Sequence, residues 1–413
     1  MLKINTIKQI ITPEIGTRLA GYPRNYVSYQ VHDDLLVSGL ALDDGNTKAV
    51  VLSFDLIGLD EDIINQIRQE CGIICGIDPE HIVLTCTHTH SGPHTTRDEG
   101  LARNEDYIEK LIDYCREAVK GAFEEMIEVY VFHYSVNAYE NLNRRLISPA
   151  NTYLYLPDNK HLLKTAEGIV DPELGILYFM NAESKDAEAV FVNYTAHPLT
   201  SQSGGLSSSI ITSDYPGILR EHVENEIGGV CVFTQGACGD IHPREFESGF
   251  TRTEEMGKNL AKKVIHGYYA VIGYFSSEPE TQYRLTDPTI QVHSIRFDMF
   301  SGDKNQGKNL SPDAEKSILS TKLQFLQIGE VCLVGVPGEL LVEPGFEIKW
   351  HSPYRKTFIL YNSTAYLGYI AHTNAFISGG YESSSSHFNK YSAFNLVSNA
   401  VQGLIEISEK DNQ

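Results

Sequence analysis

Two histidines separated by one residue, His88 and His90, lie in Leu84-Thr-Cys-Thr-His-Thr-His-Ser-Gly-Pro-His94, with a third at His94. The β-branched run Ile82 to Thr87 predicts a strand, and residues two apart on a strand share a face. His88 and His90 are therefore expected to look into one space where the strand gives way to Ser91-Gly92-Pro93. Imidazole is the commonest protein metal ligand, and two on one face with His94 near make a metal site plausible; hydrogen-bonded core histidines are the competing reading.

Three more polar positions stand where apolar runs end. His197 closes Val190-Phe-Val-Asn-Tyr-Thr-Ala-His and is followed by Pro198. Glu339 closes Gly335-Val-Pro-Gly-Glu, and a carboxylate there is costly to bury unless paired or metal-bound. A helix N-terminal charge is the alternative for Glu339. Tyr381 lies in the loop Gly379-Gly380-Tyr381-Glu382, where an exposed tyrosine alone carries little weight.

The elements that must position these residues follow from periodicity. Val37 to Leu42 and Lys48 to Leu56 read as strands around the Asp43-Asp44-Gly45-Asn46 turn. Asp60 is a cap for a helix with Ile63, Ile64 and Ile67 on one stripe, ended by Gly76 and Pro79. Glu105 to about Met126 is the clearest amphipathic helix. Strands are expected near 129–135, 175–180, 189–196 and 230–234, and helices over 214–227 and about 251–269. Residues 285–336 read as strands with a turn at Gly329; a helix from Pro344, a strand near 358–361 and a last helix from about Ser392 follow. Residues 15–30, with Gly21-Tyr22-Pro23-Arg24, suit a loop at a pocket mouth, and a long loop runs through Arg144, Arg145 and Pro149. The expected class is α/β, an open mixed β-sheet covered by helices, with the metal site at strand carboxyl ends.

The chain has 413 residues and 42% hydrophobic content, and it is expected to form one domain over 1–413. A net charge of −21 disfavours nucleic acid as a partner. No apolar run approaches the roughly 20 residues of a membrane span, and the N-terminus, broken by Lys3 and Lys8, does not read as a signal peptide. Seven scattered cysteines read as reduced thiols used in packing. A cytoplasmic protein is expected.

Thr87-His-Thr-His-Ser-Gly-Pro93 resembles the signature of the neutral/alkaline, non-lysosomal ceramidases. The resemblance continues in order through Asn143-Arg144, His197, Gly239-Asp240-x-His-Pro243, Pro337-Gly-Glu339 and Gly380-Tyr381-Glu382. It covers about Ile11 to Glu382 and implies a catalytic zinc held by His88, His197, Glu339 and Tyr381. It also implies that His90 and Arg144 serve the substrate amide and its leaving group. This chain departs from the pattern at His242-Pro243-Arg244, where those enzymes carry Ser-Pro-Asn, so His242 is expected to take over part of the work. It departs again at His94-Thr95, where small residues usually follow. At this length the chain is expected to lack their carboxyl-terminal immunoglobulin-like domain.

Zinc in catalytic sites accepts N and O ligands from distant parts of a chain, lowers the pKa of a bound water and polarises an amide carbonyl. Tyr381 suits such a site because a cation lowers its phenol pKa. Arg144 has paired donors for substrate or oxyanion, and His90 is placed to move a proton. The expected function is zinc-dependent hydrolysis of a linear amide in a small N-acyl compound, ceramide-like lipids included. Two alternatives are a zinc-binding sensor or scaffold without turnover, and an ester or phosphate hydrolase with a second metal on His94, Asp240 and His242.

Overall fold

The protein is described by a computed structural model covering all residues except 22–25, 98–101, 148–152, 156–167, 203–207, 246–247, 278–282, 287, 303–317 and 411–413. Tyr22, Pro23, Arg24 and Pro149 of the expected loops lie outside the described residues. The main strands are β1 (Lys3–Ile10), β2 (Leu36–Asp43), β3 (Lys48–Phe54), β4 (Ile82–Cys86), β5 (Ile127–Asn137), β6 (Glu173–Asn181), β7 (Ala187–Tyr194), β8 (Val230–Gln235), β9 (Ile290–Phe300), β10 (Ile318–Ile328), β11 (Val331–Gly335) and β12 (Lys356–Leu360). The helices are α1 (Glu61–Cys75), α2 (Glu105–Ala118), α3 (Tyr215–Ile227), α4 (Phe250–Ser277), α5 (Val342–Trp350), α6 (Thr373–Ser378), α7 (Tyr381–Ser385) and α8 (Ser392–Lys410).

An eight-stranded mixed sheet has the order β8-β7-β6-β5-β1-β2-β3-β4. Its two halves join where Lys3 and Ile4 of β1 pair with Glu128 and Ile127 of β5. The sheet bends there, bringing β8 back onto β3, and Ser53 Oγ donates to the Phe233 carbonyl at 2.5 Å. The expected mixed α/β architecture is present. The strands of the 285–336 region do not extend this sheet but begin a second one, β9-β10-β11-β12. The two sheets bury a shared layer that includes Leu40, Val51, Leu177, Phe191, Leu333 and Phe358. One face of the large sheet therefore meets the small sheet. Its other face meets α1 and α2 on one half and α3 and α4 on the other, while α8 and α5 back the small sheet. Strands buried on both faces read as continuous apolar runs, as Val190 to Val192 and Val331 to Val334 do.

Within these two sheets three neighbouring pairs are parallel: β3 with β4, β7 with β8, and β11 with β12. Parallel strands need a crossover, supplied here by α1, α3 and α5. The carboxyl ends within each pair therefore lie side by side. Helix α2 stops at Ala118, short of the expected Met126, and the chain turns through Gly121 at φ +72°. All seven cysteines are free, six of them buried. Among the described residues no helix is long and apolar enough to cross a membrane.

Candidate metal centre

The three parallel pairs empty into one place. From β3 and β4 come the Ile57 carbonyl, His88 and His90; from β7 and β8 come His197 and His242; from β11 and β12 come Glu339, Tyr361, Asn362 and Tyr366. Strand β4 ends at Cys86, so His88 and His90 do not meet by pleat alternation. His88 takes a left-handed backbone, φ +70°, and its N–H donates to the Leu56 carbonyl at 2.9 Å. A non-glycine residue there is uncommon and is tolerated where surrounding bonds over-determine it. The expected shared space for the two rings is real, but a strained turn creates it.

Each of three imidazoles turns Nδ1 to a backbone carbonyl: His88 to Ile57 at 2.7 Å, His90 to Gly21 at 3.0 Å and His197 to Ile241 at 3.0 Å. In a neutral ring this places the proton on Nδ1 and leaves Nε2 as the lone pair. The ligand atoms of these rings lie within 4.8 Å of one another. His88 Nε2 and His90 Nε2 are 3.3 Å apart, a separation at which two lone pairs repel unless a proton or cation lies between them. Burial, with Glu339 opposing and His197 reinforcing it, holds the His88 pKa down to about 4, and burial with His88 and His197 pushes His90 well below its ordinary value. His88 and His90 are thus held toward the neutral form, the form in which an imidazole binds a metal.

Glu339 faces two of these rings, with Oε2 at 3.5 Å from His88 Nε2 and 3.7 Å from His197 Nε2. Tyr366 donates to Oε1 at 2.8 Å and Tyr361 to Oε2 at 3.2 Å. Burial opposes the charge on Glu339, yet His88, His197 and the Tyr366 hydroxyl hold its carboxyl well below the usual carboxylate range. The helix begins only at Val342, and the side chain points into the cluster, so the helix N-terminal reading of Glu339 is set aside. His197 Nε2 is buried without a hydrogen-bond partner, and the Glu339 oxygen at 3.7 Å is beyond hydrogen-bond reach. An orphaned lone pair beside an ionised carboxylate and two more imidazole nitrogens fits a divalent cation with nitrogen and oxygen ligands.

His242 lies beside His197, ring centroids 5.2 Å apart, and its Nε2 meets Arg144 Nη1 at 2.5 Å. Arg144 also donates from Nε to Glu382 at 2.7 Å and from Nη2 to the Gly239 carbonyl at 2.7 Å. Both Arg144 and Arg145 are buried, and it is Arg144 that reaches His242. Tyr381 opens the short helix α7, is 37% exposed, and lies edge-on to Tyr369 at 5.5 Å with Arg144 against its ring. The tyrosines bonded to Glu339 are Tyr361 and Tyr366.

The structure thus brings together His88, His90, His197 and Glu339, sets His242 and Arg144 beside them, and packs Tyr381 against Arg144 and Tyr369. His94 is buried, with Nδ1 lacking a hydrogen-bond partner, and its environment is shaped by Arg18. Asp240 gives Oδ1 to the Val342 N–H and Oδ2 to Asn143. Among the described residues the one histidine, cysteine and carboxylate group of metal-binding size is His88, His90 and His197, so His94, Asp240 and His242 do not form a second metal site. Sequence reasoning missed Tyr361, Tyr366, Asn362 and Gln202, and gave Glu382, quoted within its motif, no role. Gln202 holds the His90 carbonyl at 2.9 Å, and Asn362 Nδ2 lies 3.0 Å from the Ile57 carbonyl and from His88 Nδ1. Only their position just after a strand or beside a quoted motif could have suggested them.

No family model matches the chain. In sequence it is similar to the neutral ceramidase of Pseudomonas aeruginosa, 25% identical over 235 residues, 51% of this chain and 33% of that protein. The match thus spans about a third of the length of that relative. The fold is similar to that of the solved neutral ceramidase from Pseudomonas aeruginosa, with a TM-score of 0.80 and 17% identity over 99% of this chain and 75% of that one. A structure described as ceramidase complexed with C2 gives a TM-score of 0.77 at 16% identity, with the same coverage. The chain is therefore similar to a neutral ceramidase in sequence over about half its length, and it has the neutral ceramidase fold over nearly its whole length.

Proposed function

We propose that the chain is a metal-dependent amidohydrolase, with zinc as its ion, acting on an N-acyl compound. The observation that carries this reading is the convergence of three Nε2 atoms, each fixed by an Nδ1 bond to a carbonyl, on one side of an ionised Glu339. His88, His197 and Glu339 would hold the ion, with Tyr381 proposed from the ceramidase pattern as a further ligand. When bound, such an ion lowers the pKa of water and polarises the amide carbonyl. His90, neutral and 3.3 Å from His88, can accept a proton at Nε2 and return it to a departing amine. Arg144 and His242 form a polar wall beside His197, suited to orienting the amide.

Support for an apolar acyl group comes from a cavity of about 500 Å³ that Tyr366 lines together with Leu319, Leu367 and Phe388. Asp60, Glu61, Asp62, Arg97, Ser301 and His387 also line it. Tyr366 also bonds Glu339, which connects this cavity wall to the proposed ligands. Ceramide-like amides are therefore in the substrate class, with the particular amide to be found by screening.

The test pairs elemental analysis of protein expressed with zinc with a hydrolysis panel of N-acyl compounds, on wild type and His88→Ala. About one zinc per chain is expected, with turnover lost by at least about 10²-fold in the variant. Full occupancy without turnover across the panel would leave a metal-binding protein rather than an enzyme. Turnover undiminished in His88→Ala would remove the proposed centre.

A further inference from the structure

Arg144 and Arg145 are consecutive, and both guanidiniums are buried against one carboxylate, Glu382, itself 1% exposed. Arg144 Nε donates to Oε1 at 2.7 Å and Arg145 Nη1 to Oε2 at 2.5 Å. Two buried arginines at one site need their counterion held between them. Gly380, with φ +112°, allows this approach: a Cβ there would lie 3.0 Å from Arg145 Nη1. A guanidinium is planar, so anchoring Nε to Glu382 and Nη2 to the Gly239 carbonyl fixes the direction of Nη1 as well. That direction is His242 Nε2, at 2.5 Å. His242 in turn packs against His197. A donor aimed at Nε2 makes that nitrogen an acceptor and leaves the ring proton on Nδ1.

We propose that Glu382 is a positioning residue: by aligning Arg144 between two buried anchors, it holds His242 in one tautomer and one orientation beside His197. Its effect on rate rests on the amidohydrolase reading; its effect on His242 does not. Arg145 balances charge and ties Glu382 to the Gly379 carbonyl, at 2.8 Å from Nη2.

Glu382→Gln keeps the shape of the side chain, but a carboxamide oxygen can accept from one guanidinium while its NH2 is turned toward the other. Arg145→Met combined with Glu382→Met removes one charge of each sign, leaves no oxygen to anchor Arg144, and keeps the local net charge, which guards against a variant that fails only through surplus buried cation. The readouts are the ¹⁵N NMR signals of the His242 imidazole in metal-loaded protein, assigned by their loss in His242→Gln, together with zinc content, kcat and KM. In both Glu382→Gln and the double variant, His242 Nε2 is expected to lose its hydrogen-bonded shift. Zinc content is expected to stay unchanged, and kcat to fall by about 10–100-fold with little change in KM. A wild-type His242 spectrum in a folded double variant overturns the proposal. So does an unchanged kcat where the spectrum has moved, because His242 orientation would then not matter to rate. If wild type turns over no amide at all, the amidohydrolase reading fails on its own, and the NMR signals alone decide whether Glu382 positions His242.

Discussion

Tyr361 and Tyr366 meet Glu339, whereas Tyr381 meets Tyr369 and Arg144. Tyr366 and Tyr361 donate to the two oxygens of Glu339, at 2.8 and 3.2 Å, and so set which lone pairs Glu339 can offer an ion. Tyr381 packs at the edge of Tyr369 instead. Competition with a chelator separates their roles. Tyr366→Phe should weaken zinc affinity by roughly tenfold, the usual effect of losing a partner of a ligand. Tyr381→Phe should weaken it by more than about a hundredfold if Tyr381 completes the ligand set. Equal, small losses would take Tyr381 out of that set. His88, His197 and Glu339 were legible as candidates because each is a polar residue closing an apolar run. Tyr366 was not, because nothing local to Ser363-Thr-Ala-Tyr366 says which carboxylate its hydroxyl will meet.

At the scale of elements, the left-handed turn at His88 is held by the chain around it. Asp55, just after β3, accepts from both Arg220 Nη atoms on α3, at 3.0 and 2.5 Å, and from Thr87 Oγ1 at 3.2 Å. Thr89 Oγ1 donates to the Thr212 carbonyl at 2.9 Å. The two halves of the bent sheet are thereby tied together on either side of the proposed ligands. Removing one member of a buried ion pair leaves the other uncompensated, so Asp55→Ala should lower unfolding free energy by about 3–5 kcal/mol in urea titration. A loss below about 1 kcal/mol would mean that Arg220 finds water or another acceptor. Strand and helix identities were legible from period, as with Ile63, Ile64 and Ile67, which α1 buries, whereas its expected cap Asp60 stands at the N-cap without a side-chain cap bond. The bend between β1 and β5 was not legible, since it depends on a two-residue pairing between segments more than a hundred positions apart.

Across the whole molecule, a second charge cluster ties the two sheets to each other away from the metal centre. Glu173 on β6 receives Lys356 of β12 at 2.5 Å and Lys349 of α5 at 3.1 Å, with His133 of β5 beside it. Burial, helped by Lys356, holds the His133 pKa down to about 4 against an ordinary 6.5. Burial would raise Glu173, but Lys349 and Lys356 bring it down to about 2 from 4.5. Both groups bind fewer protons folded than unfolded, so both contribute stability that disappears with acid. The His133 contribution is complete above pH 6.5 and is lost as pH falls to about 4; that of Glu173 is complete above 4.5 and is lost toward about 2. Urea midpoints should therefore fall between pH 6.5 and 4, and His133→Gln should flatten that part of the curve. An unchanged slope in His133→Gln would assign the acid loss to other groups. Metal removal acts at the same scale: an ion that binds only the folded chain adds about 4 kcal/mol at a thousandfold excess over Kd. A chelator should accordingly lower Tm in wild type and leave Tm unmoved in His88→Ala.

The sequence by itself marked most of the long strands and helices, though not β1, and several polar residues that end them, because period and β-branching are read within a dozen positions. It also carried the family resemblance, since the motifs keep their order along the chain. Tertiary structure alone decided that three parallel pairs share one carboxyl-terminal space. It decided that His88 and His90 meet through a left-handed turn, that Asp240 serves the backbone and a neighbouring amide, and that Glu382 lies under Arg144. These are choices among partners far apart in sequence, made by how the bent sheet closes on the second one, and no local pattern encodes them.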